Sequence, residues 1–173
     1  MVVYEKPWPY AVIDNFYPNH VFETIQLEAR RFLAKNVTVE TRKQEYQNPD
    51  NDILKHCINS KLLDTSYLEK FPNHREYNNI KPYWELNYLR GPFSYPIHDE
   101  APRKVLSSVV YVAPEENLGT RLYDKDKNLI TEIEWKPNRA FIFAGIDGLT
   151  WHDYHCPKGK LRITINQFLE RYE

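Results

Sequence analysis

The second half of the sequence is built from short β-rich runs that alternate with clusters of proline, glycine, asparagine and aspartate. After Lys81 these runs are WELNYLR, VLSSVVYVA, GTRLYD, LITEIEW, RAFIFAG, LTWHDY and KLRITINQFL. Short strands with turn signals at regular intervals are typical of a sandwich or a barrel, and a double-sheet jelly roll is the usual way to close about eight of them. The pattern therefore predicts a mainly β fold with jelly-roll architecture.

The residues before Lys81 follow a different pattern. From Val21 to Leu33 apolar side chains recur at helical spacing with charged residues between them, which predicts an amphipathic helix. The segment YAVIDNFYPN ahead of it suits a strand that leads into a helix start. The polar stretch that follows offers only short helical pieces, around Ile53 to Asn59 and Lys61 to Phe71. We therefore expect N-terminal helices followed by a β core.

Length and charge limit the function classes that this chain can belong to. It has 173 residues and a formal net charge of -1. The length favours a single domain over residues 1–173, with helical support over about 1–80 and the β core over about 81–173. Because there is no bulk positive charge, general nucleic-acid binding is not expected. No apolar run approaches the roughly 20 residues of a membrane span, and the N-terminus lacks the order of a signal peptide, so we expect a cytoplasmic protein with no membrane partner.

A histidine and a glutamate in the β-rich half form a pattern with a second histidine. In SYPIHDEAP one residue separates His98 from Glu100, so both side chains point to the same face of an extended chain. His152 follows Trp151 at the end of a later run, and the intervening strands could fold it back against this pair. Two neutral imidazoles and one carboxylate can bind Fe(II) on one triangular face and leave positions for a co-substrate and oxygen. These residues therefore predict a non-haem iron site.

An arginine near the C-terminus extends this hypothesis. In LRITIN, Arg162, Thr164 and Asn166 share one strand face, whereas the intervening apolar residues share the other. A buried arginine requires an anion, and its planar guanidinium suits a carboxylate held by two hydrogen bonds. Iron together with such an arginine implies an acidic co-substrate that chelates the metal at one end and reaches Arg162 at the other. 2-Oxoglutarate has this shape.

With these residues in order, the sequence resembles the Fe(II)/2-oxoglutarate-dependent oxygenases of the prolyl-hydroxylase-like superfamily, including versions carried by bacteriophages. The resemblance extends from PYAVIDNFYP to the final strand and centres on His98, Glu100, His152 and Arg162. LNYL, VVYV, GTRLYD and KPNRAFIFAGIDGLTWH also look like their family counterparts. The family pattern more often carries aspartate at the position of Glu100, although glutamate occurs there in some active members. The family fold is a double-stranded β-helix, or jelly roll, supported by N-terminal helices.

The resemblance implies a role for each of these residues. His98, Glu100 and His152 would hold the iron, and Arg162 would pair with the distal carboxylate of 2-oxoglutarate. Two tyrosines and a threonine would contact the co-substrate as well: Tyr88, Tyr111 and Thr164. The implied cofactors are Fe(II), 2-oxoglutarate as co-substrate and O2, with ascorbate in a supporting role.

Other assignments of these residues remain open at the level of the sequence. His155 is the alternative to His152 as the distal ligand, but it lies close to Arg162 and next to a turn signal at Cys156 and Pro157. HDYHC could also be part of a zinc site, but no second cluster of cysteine or histidine supplies the remaining ligands. Tyr88 and Tyr111 could be core aromatics.

The function that follows from the resemblance is an oxidoreductase, a dioxygenase that couples 2-oxoglutarate decarboxylation to hydroxylation of a second substrate. A prolyl or other residue of a polypeptide is the first candidate substrate, and a free amino acid, a nucleobase or another small molecule is the alternative. Two further classes compete with an enzyme: a non-catalytic cupin-like metal-binding module, and a structural protein that has only inherited the fold. If the chain is viral, the expected location is the host-cell cytoplasm.

Overall fold

The computed structural model describes residues 1–71 and 79–172 and is dominated by β-strands. The elements are, in chain order, β1 (Val2–Tyr4), β2 (Tyr10–Ile13), α1 (Asn19–Asn36), β3 (Lys43–Gln47), α2 (Asp52–Asn59), a 3-10 helix (Thr65–Lys70), β4 (Ile80–Arg90), β5 (Phe93–His98), β6 (Lys104–Ala113), β7 (Thr120–Tyr123), β8 (Leu129–Ile133), β9 (Ala140–Ala144), β10 (His152–Cys156) and β11 (Leu161–Arg171). None of the helices described here is long and apolar enough to cross a lipid bilayer.

The strands form two antiparallel sheets. The large sheet has seven strands in the order β1-β2-β9-β6-β11-β4-β3, and the small sheet has four in the order β5-β10-β7-β8. From β4 onwards the chain passes between the two sheets repeatedly, with β4, β6, β9 and β11 in the large sheet and β5, β7, β8 and β10 in the small one. This arrangement confirms the predicted mainly β fold with N-terminal helices and is consistent with a jelly roll.

Both faces of the large sheet are covered, and the alternation along β11 shows how. Ile163 and Ile165 belong to the apolar core that the sheet shares with α1 and α2. Arg162 and Thr164 point the opposite way, into the space between the two sheets. Successive side chains of a strand face opposite sides, so one strand supplies both the core under the helices and the interior of the sandwich. The predicted division of side chains along LRITIN is therefore confirmed.

The first eighty residues contain more strand than expected. The predicted helix over Val21–Leu33 forms as the longer α1, but the piece expected over Lys61–Phe71 is only a short 3-10 helix. β2 confirms the strand predicted at the start of YAVIDNFYPN. β1 and β3 form the two edges of the large sheet, although helical support was expected there. β3 reads KQEYQ and has no buried residue, because an edge strand needs backbone pairing on one side only and tolerates polar side chains.

Aromatic side chains fill part of the space between the sheets. Trp8, Tyr111, Trp135, Phe141 and Phe143 form a buried cluster there. The ring of Tyr111 stacks on that of Trp135 with centroids 4.5 Å apart. Large rings of this kind hold two sheets at a fixed separation, and the rest of the space between the sheets contains a cavity.

Candidate active site

A cavity of about 380 Å³ lies between the two sheets. Its walls come from β3, β4, β5, β6, β7, β10 and β11 and from the loop that follows β5. Five of the seven residues singled out from the sequence lie on these walls: His98, Glu100, His152, Arg162 and Thr164. The volume falls within the range usual for small-molecule sites.

Strand pairing brings the two predicted histidines together. His98 ends β5 and His152 begins β10, and the two residues are direct partners in the antiparallel register of these strands. Their ring centroids are 4.3 Å apart. Nδ1 of His98 lies 2.9 Å from the carbonyl oxygen of Pro96, and Nδ1 of His152 lies 2.8 Å from that of Thr150. A carbonyl can only accept, so both Nδ1 atoms carry the hydrogen and both Nε2 lone pairs are available to a ligand.

Glu100 lies beyond the end of β5, but its carboxylate enters the same cavity. The residue is 8% exposed, and its Oε1 is 3.9 Å from Nε2 of His152. Its Oε2 is 3.1 Å from Nζ of Lys104. Burial alone raises the pKa of Glu100, but the charge of Lys104, with His152, outweighs it and holds the pKa below its usual value. Glu100 is therefore a buried, ionised carboxylate.

His152 is a buried neutral imidazole. Desolvation, followed by the charge of His98, lowers its pKa to about 4. A neutral imidazole is the form that binds a metal ion. The donor chemistry of His98, Glu100 and His152 therefore fits a divalent transition metal.

The donor atoms of His98, Glu100 and His152 are farther apart than the ligands of a bound metal ion. Within residues 1–71 and 79–172, no group of three histidine, cysteine, aspartate or glutamate side chains meets the spacing of a metal site. Two adjacent ligands of a bound ion lie about 3 Å apart, as metal–nitrogen distances near 2.1 Å require. The 3.9 Å between Glu100 and His152 exceeds that by about 1 Å, a gap that a change in the glutamate side-chain torsions can close.

Arg162 lies deep in the cavity and is 2% exposed. Its Nη1 donates to the carbonyl oxygens of Leu118 and Gly119 at 2.7 and 3.4 Å, and its Nη2 donates to Oγ1 of Thr120 at 3.3 Å. The guanidinium lies 4.9 to 5.2 Å from three aromatic ring centres, those of Trp135, Tyr154 and Tyr111. No carboxylate in the described part of the chain forms an ion pair with it, and burial lowers its pKa. Arg162 is therefore a buried cation without an anionic partner of its own.

The remaining predicted contacts have different positions. Thr164 lines the cavity, and its Oγ1 donates to Oδ1 of Asn166 at 3.1 Å. Tyr111 is fully buried beside Arg162 and donates from its hydroxyl to Oγ1 of Thr120 at 2.8 Å. Tyr111 is thus placed behind the cavity wall, where it orders the arginine and the threonine.

Tyr88 has to be corrected, because the structure does not bring it to the cavity. Its side chain packs in the core under the helices, and its hydroxyl accepts a hydrogen bond from Nε of Arg90 at 3.0 Å. Asn87 and Leu89 are its neighbours on β4, and both line the cavity. The resemblance implied that Tyr88 faces the co-substrate. Because side chains alternate along β4 and its neighbours on both sides face the cavity, Tyr88 faces the helices instead.

Sequence reasoning missed several cavity residues, among them Glu85, Lys104 and Tyr154. Tyr154 follows His152 at a spacing of two along β10 and could have been found from that periodicity. Glu85 lies on the opposite face of β4 from the predicted Tyr88, so the sequence prediction did not point to it. Lys104 carries no signal in the sequence, since its role depends on the approach of Glu100 across a loop.

His155 lies on the opposite face of β10 from His152. Its Nδ1 contacts Oγ of Ser94 at 2.8 Å, its Nε2 contacts Arg121, and the same nitrogen is 3.4 Å from Oδ2 of Asp153. Arg121 and Asp153 in turn form a two-bond ion pair at 2.7 and 2.6 Å. His155 thus belongs to a polar cluster on the outer face of the small sheet and is remote from the cavity.

Comparison with known proteins finds the same fold in solved structures. No protein-family model and no curated protein matches the chain. A prolyl hydroxylase from Trichoplax adhaerens, solved with a peptide fragment of the hypoxia inducible factor oxygen degradation domain, is 14% identical with a TM-score of 0.63 over 93% of this chain and 83% of that one. The viral collagen prolyl hydroxylase of Paramecium Bursaria Chlorella virus-1, in its 2OG complex, is 14% identical with a TM-score of 0.62 over 94% and 96%.

A third structure widens this group. An oxidoreductase of the 2OG-Fe(II) oxygenase family from Burkholderia pseudomallei is 10% identical with a TM-score of 0.67 over 94% of this chain and 84% of that one. Identities this low establish a shared fold and leave the chemistry to be argued from the site. The chain has the fold of the 2-oxoglutarate- and iron(II)-dependent oxygenases, the superfamily that its sequence resembles.

Proposed function

We propose that this protein is an iron(II)- and 2-oxoglutarate-dependent dioxygenase, formed as one oxygenase domain with a double-stranded β-helix core. The observation that carries the proposal is Arg162, a buried cation with no acidic partner in the described chain, in the same cavity as the imidazole of His98, the neutral imidazole of His152 and the ionised carboxylate of Glu100. The part of this cavity at Arg162 suits a carboxylate, and the part at His98, Glu100 and His152 suits a divalent metal. 2-Oxoglutarate has two carboxylates, so one can bind Arg162 while the other binds the metal.

His98, Glu100 and His152 would hold the iron, which supplies the redox chemistry that activates O2 when it is bound. The overall reaction balances as 2-oxoglutarate, O2 and R–H giving succinate, CO2 and R–OH. One oxygen atom enters succinate and the other enters the product, while the carbon–hydrogen bond of the substrate is broken. The hydrogen bonds from both Nδ1 atoms to backbone carbonyls fix the two rings before any ion arrives.

Arg162 would bind the distal carboxylate of 2-oxoglutarate. Thr120, which accepts a hydrogen bond from Arg162, pairs with Tyr154 on β10, two residues beyond His152. Two residues of a strand span about 7 Å, a distance that the five-carbon chain of 2-oxoglutarate can bridge. Thr164 adds a hydroxyl on the same wall, and Tyr111 acts by holding Thr120 and Arg162 in place.

A residue of a polypeptide, prolyl or another, is the first candidate for the second substrate, because two of the structural neighbours are prolyl hydroxylases. A free amino acid, a nucleobase or another small molecule is the alternative.

The test is succinate formation from 2-oxoglutarate with Fe(II), O2 and ascorbate, alone and with a panel of peptides. We expect turnover in the unaltered protein and none in His152→Ala. A cupin-like module would bind stoichiometric metal and form no succinate. A protein that has only inherited the fold would do neither.

A further inference from the structure

The same cavity is lined by a buried carboxyl group that is not among the candidate iron ligands. Glu85 is 7% exposed and lines the cavity from β4. Its Oε1 accepts a hydrogen bond from Nδ2 of Asn87 at 3.1 Å. Asn166, its partner across β11, lines the same wall. A carboxyl group, an amide and a second amide side chain thus meet at one end of the cavity.

The cations nearest to Glu85 are engaged with other carboxylates. Lys43 forms an ion pair with Glu45 at 2.7 Å, and Lys104 forms one with Glu100 at 3.1 Å. No lysine, arginine or histidine in the described chain forms an ion pair with Glu85. Removal of a carboxylate from water without a cation is costly, and burial raises the pKa of Glu85 accordingly. The cavity therefore contains a buried carboxyl group that has no ion-pair partner in the described chain and that a bound cation would stabilise in its charged form.

Glu85 and Arg162 lie at opposite ends of the cavity. On β11, Arg162 pairs with Leu89, whereas Asn166 pairs with Glu85. These two rows are four residues apart, which corresponds to about 13 Å along the strand. A co-substrate bound at Arg162 therefore leaves the Glu85 end to a second molecule.

We propose that Glu85 binds a cationic group of the second substrate and determines its charge class. The substrate would carry a protonated amine or a guanidinium near the carbon that is oxidised, as a lysyl or arginyl side chain does. This inference rests on the proposed oxygenase function and specifies which substrates it accepts. An amine that donates to Glu85 and lies beside the amide oxygens of Asn87 and Asn166 would have its hydrogen-bonding groups satisfied.

The experiment compares five peptides Ac-Gly-Gly-Xaa-Gly-Gly-amide as stimulators of succinate formation, with Fe(II), 2-oxoglutarate and ascorbate. Xaa is lysine or arginine, their neutral counterparts norleucine and citrulline, or proline. We expect the cationic peptides to exceed their neutral counterparts in kcat/KM by roughly ten- to hundredfold, the range that a charge-assisted hydrogen bond confers. Stimulation that is equal, or larger with the neutral or prolyl peptides, would overturn the inference.

Two variants separate charge recognition from a structural role. Glu85→Gln keeps the shape and removes the charge, so the preference for cationic peptides should fall by about tenfold or more through KM rather than kcat. Glu23→Gln, on the exposed face of α1, should retain the preference of the unaltered protein. A preference that survives Glu85→Gln would exclude Glu85 as its cause. Absence of succinate from the unaltered protein under every condition would instead refute the oxygenase function itself.

Discussion

Removal of the Arg162 guanidinium should affect 2-oxoglutarate binding far more than metal binding. A guanidinium has five N–H donors, and three of them are engaged with Leu118, Gly119 and Thr120. Nε and the second hydrogen of Nη2 remain, and Nε and Nη2 lie on one edge of the planar group. That edge matches the two oxygens of a carboxylate.

Arg162→Ala removes one partner of a buried charge pair, and such a loss costs about 2 to 5 kcal/mol of binding free energy. The Kd for 2-oxoglutarate should therefore rise at least roughly thirtyfold. At a ligand concentration of 100 Kd, binding stabilises the folded protein by about 2.7 kcal/mol. A chain of this size gains about 2 to 4 °C in Tm per kcal/mol, so 2-oxoglutarate should raise the Tm of the unaltered protein by roughly 5 to 11 °C. At the same concentration a thirtyfold weaker variant would retain only about 0.9 kcal/mol, or about 2 to 3.5 °C.

The assay is thermal unfolding of Arg162→Ala with Mn(II) in place of Fe(II), with and without 2-oxoglutarate. Arg162→Lys keeps the charge without the paired donors and should give an intermediate shift. Arg30→Ala, on an exposed site of α1, should behave as the unaltered protein does. A full 2-oxoglutarate shift in Arg162→Ala, or an equal loss of Mn(II) and 2-oxoglutarate affinity, would show that Arg162 is structural and would refute this reasoning.

Further predictions concern the metal ligands and one surface ion pair. His152→Ala should lose iron and succinate formation, whereas His155→Ala, on the outer face of the small sheet, should keep both; the reverse result would disprove the ligand assignment. Lys104→Met should weaken Fe(II) binding by roughly tenfold in a titration of the apoprotein, and Glu100→Asp should lose less affinity than Glu100→Ala. The hydrogen bond from Arg139 lowers the pKa of Asp14 from 3.8 to about 2, so the ionised carboxylate adds stability above pH 4 that is lost as the pH falls towards 2. In Asp14→Asn the urea unfolding midpoint should therefore fall less between pH 4 and pH 2 than in the unaltered protein.

The order of the fold could be predicted from the sequence because the β core has strong local signals. Each run after Lys81 is rich in apolar and β-branched residues and is bounded by turn residues. The edge strand β3 of the large sheet was harder to predict. β3 contains no apolar residue except Tyr46, and its strand conformation depends on pairing with β4, which is far away in the sequence. A local pattern cannot report a pairing of that kind.

A site residue could be predicted where its position follows from the alternation of its own strand, and could not where it depends on contacts between distant strands. The alternation along β11 placed Arg162 and Thr164 correctly, since a regular strand has a period of two. Tyr88 was placed on the wrong face because spacing was transferred from a resemblance, and a shift of one residue reverses every side chain of a strand. Glu85 carried no distinguishing signal. Its isolation from cations depends on three strands that meet only in the folded protein.

The geometry also explains how a glutamate can serve where the resemblance implies that aspartate is commoner. Both histidine rings are fixed, since each is anchored through Nδ1 to a carbonyl two residues earlier and they are neighbours across one pair of strands. Glu100 lies beyond the strand, and its carboxylate is held by Lys104, with one oxygen directed towards His152. A longer side chain from a position outside the strand can reach towards His152, as the 3.9 Å between Oε1 of Glu100 and Nε2 of His152 indicates. In the proposed site the two imidazoles would therefore define the position of the ion, and the carboxylate, with its additional torsion, would be the ligand that adjusts to it.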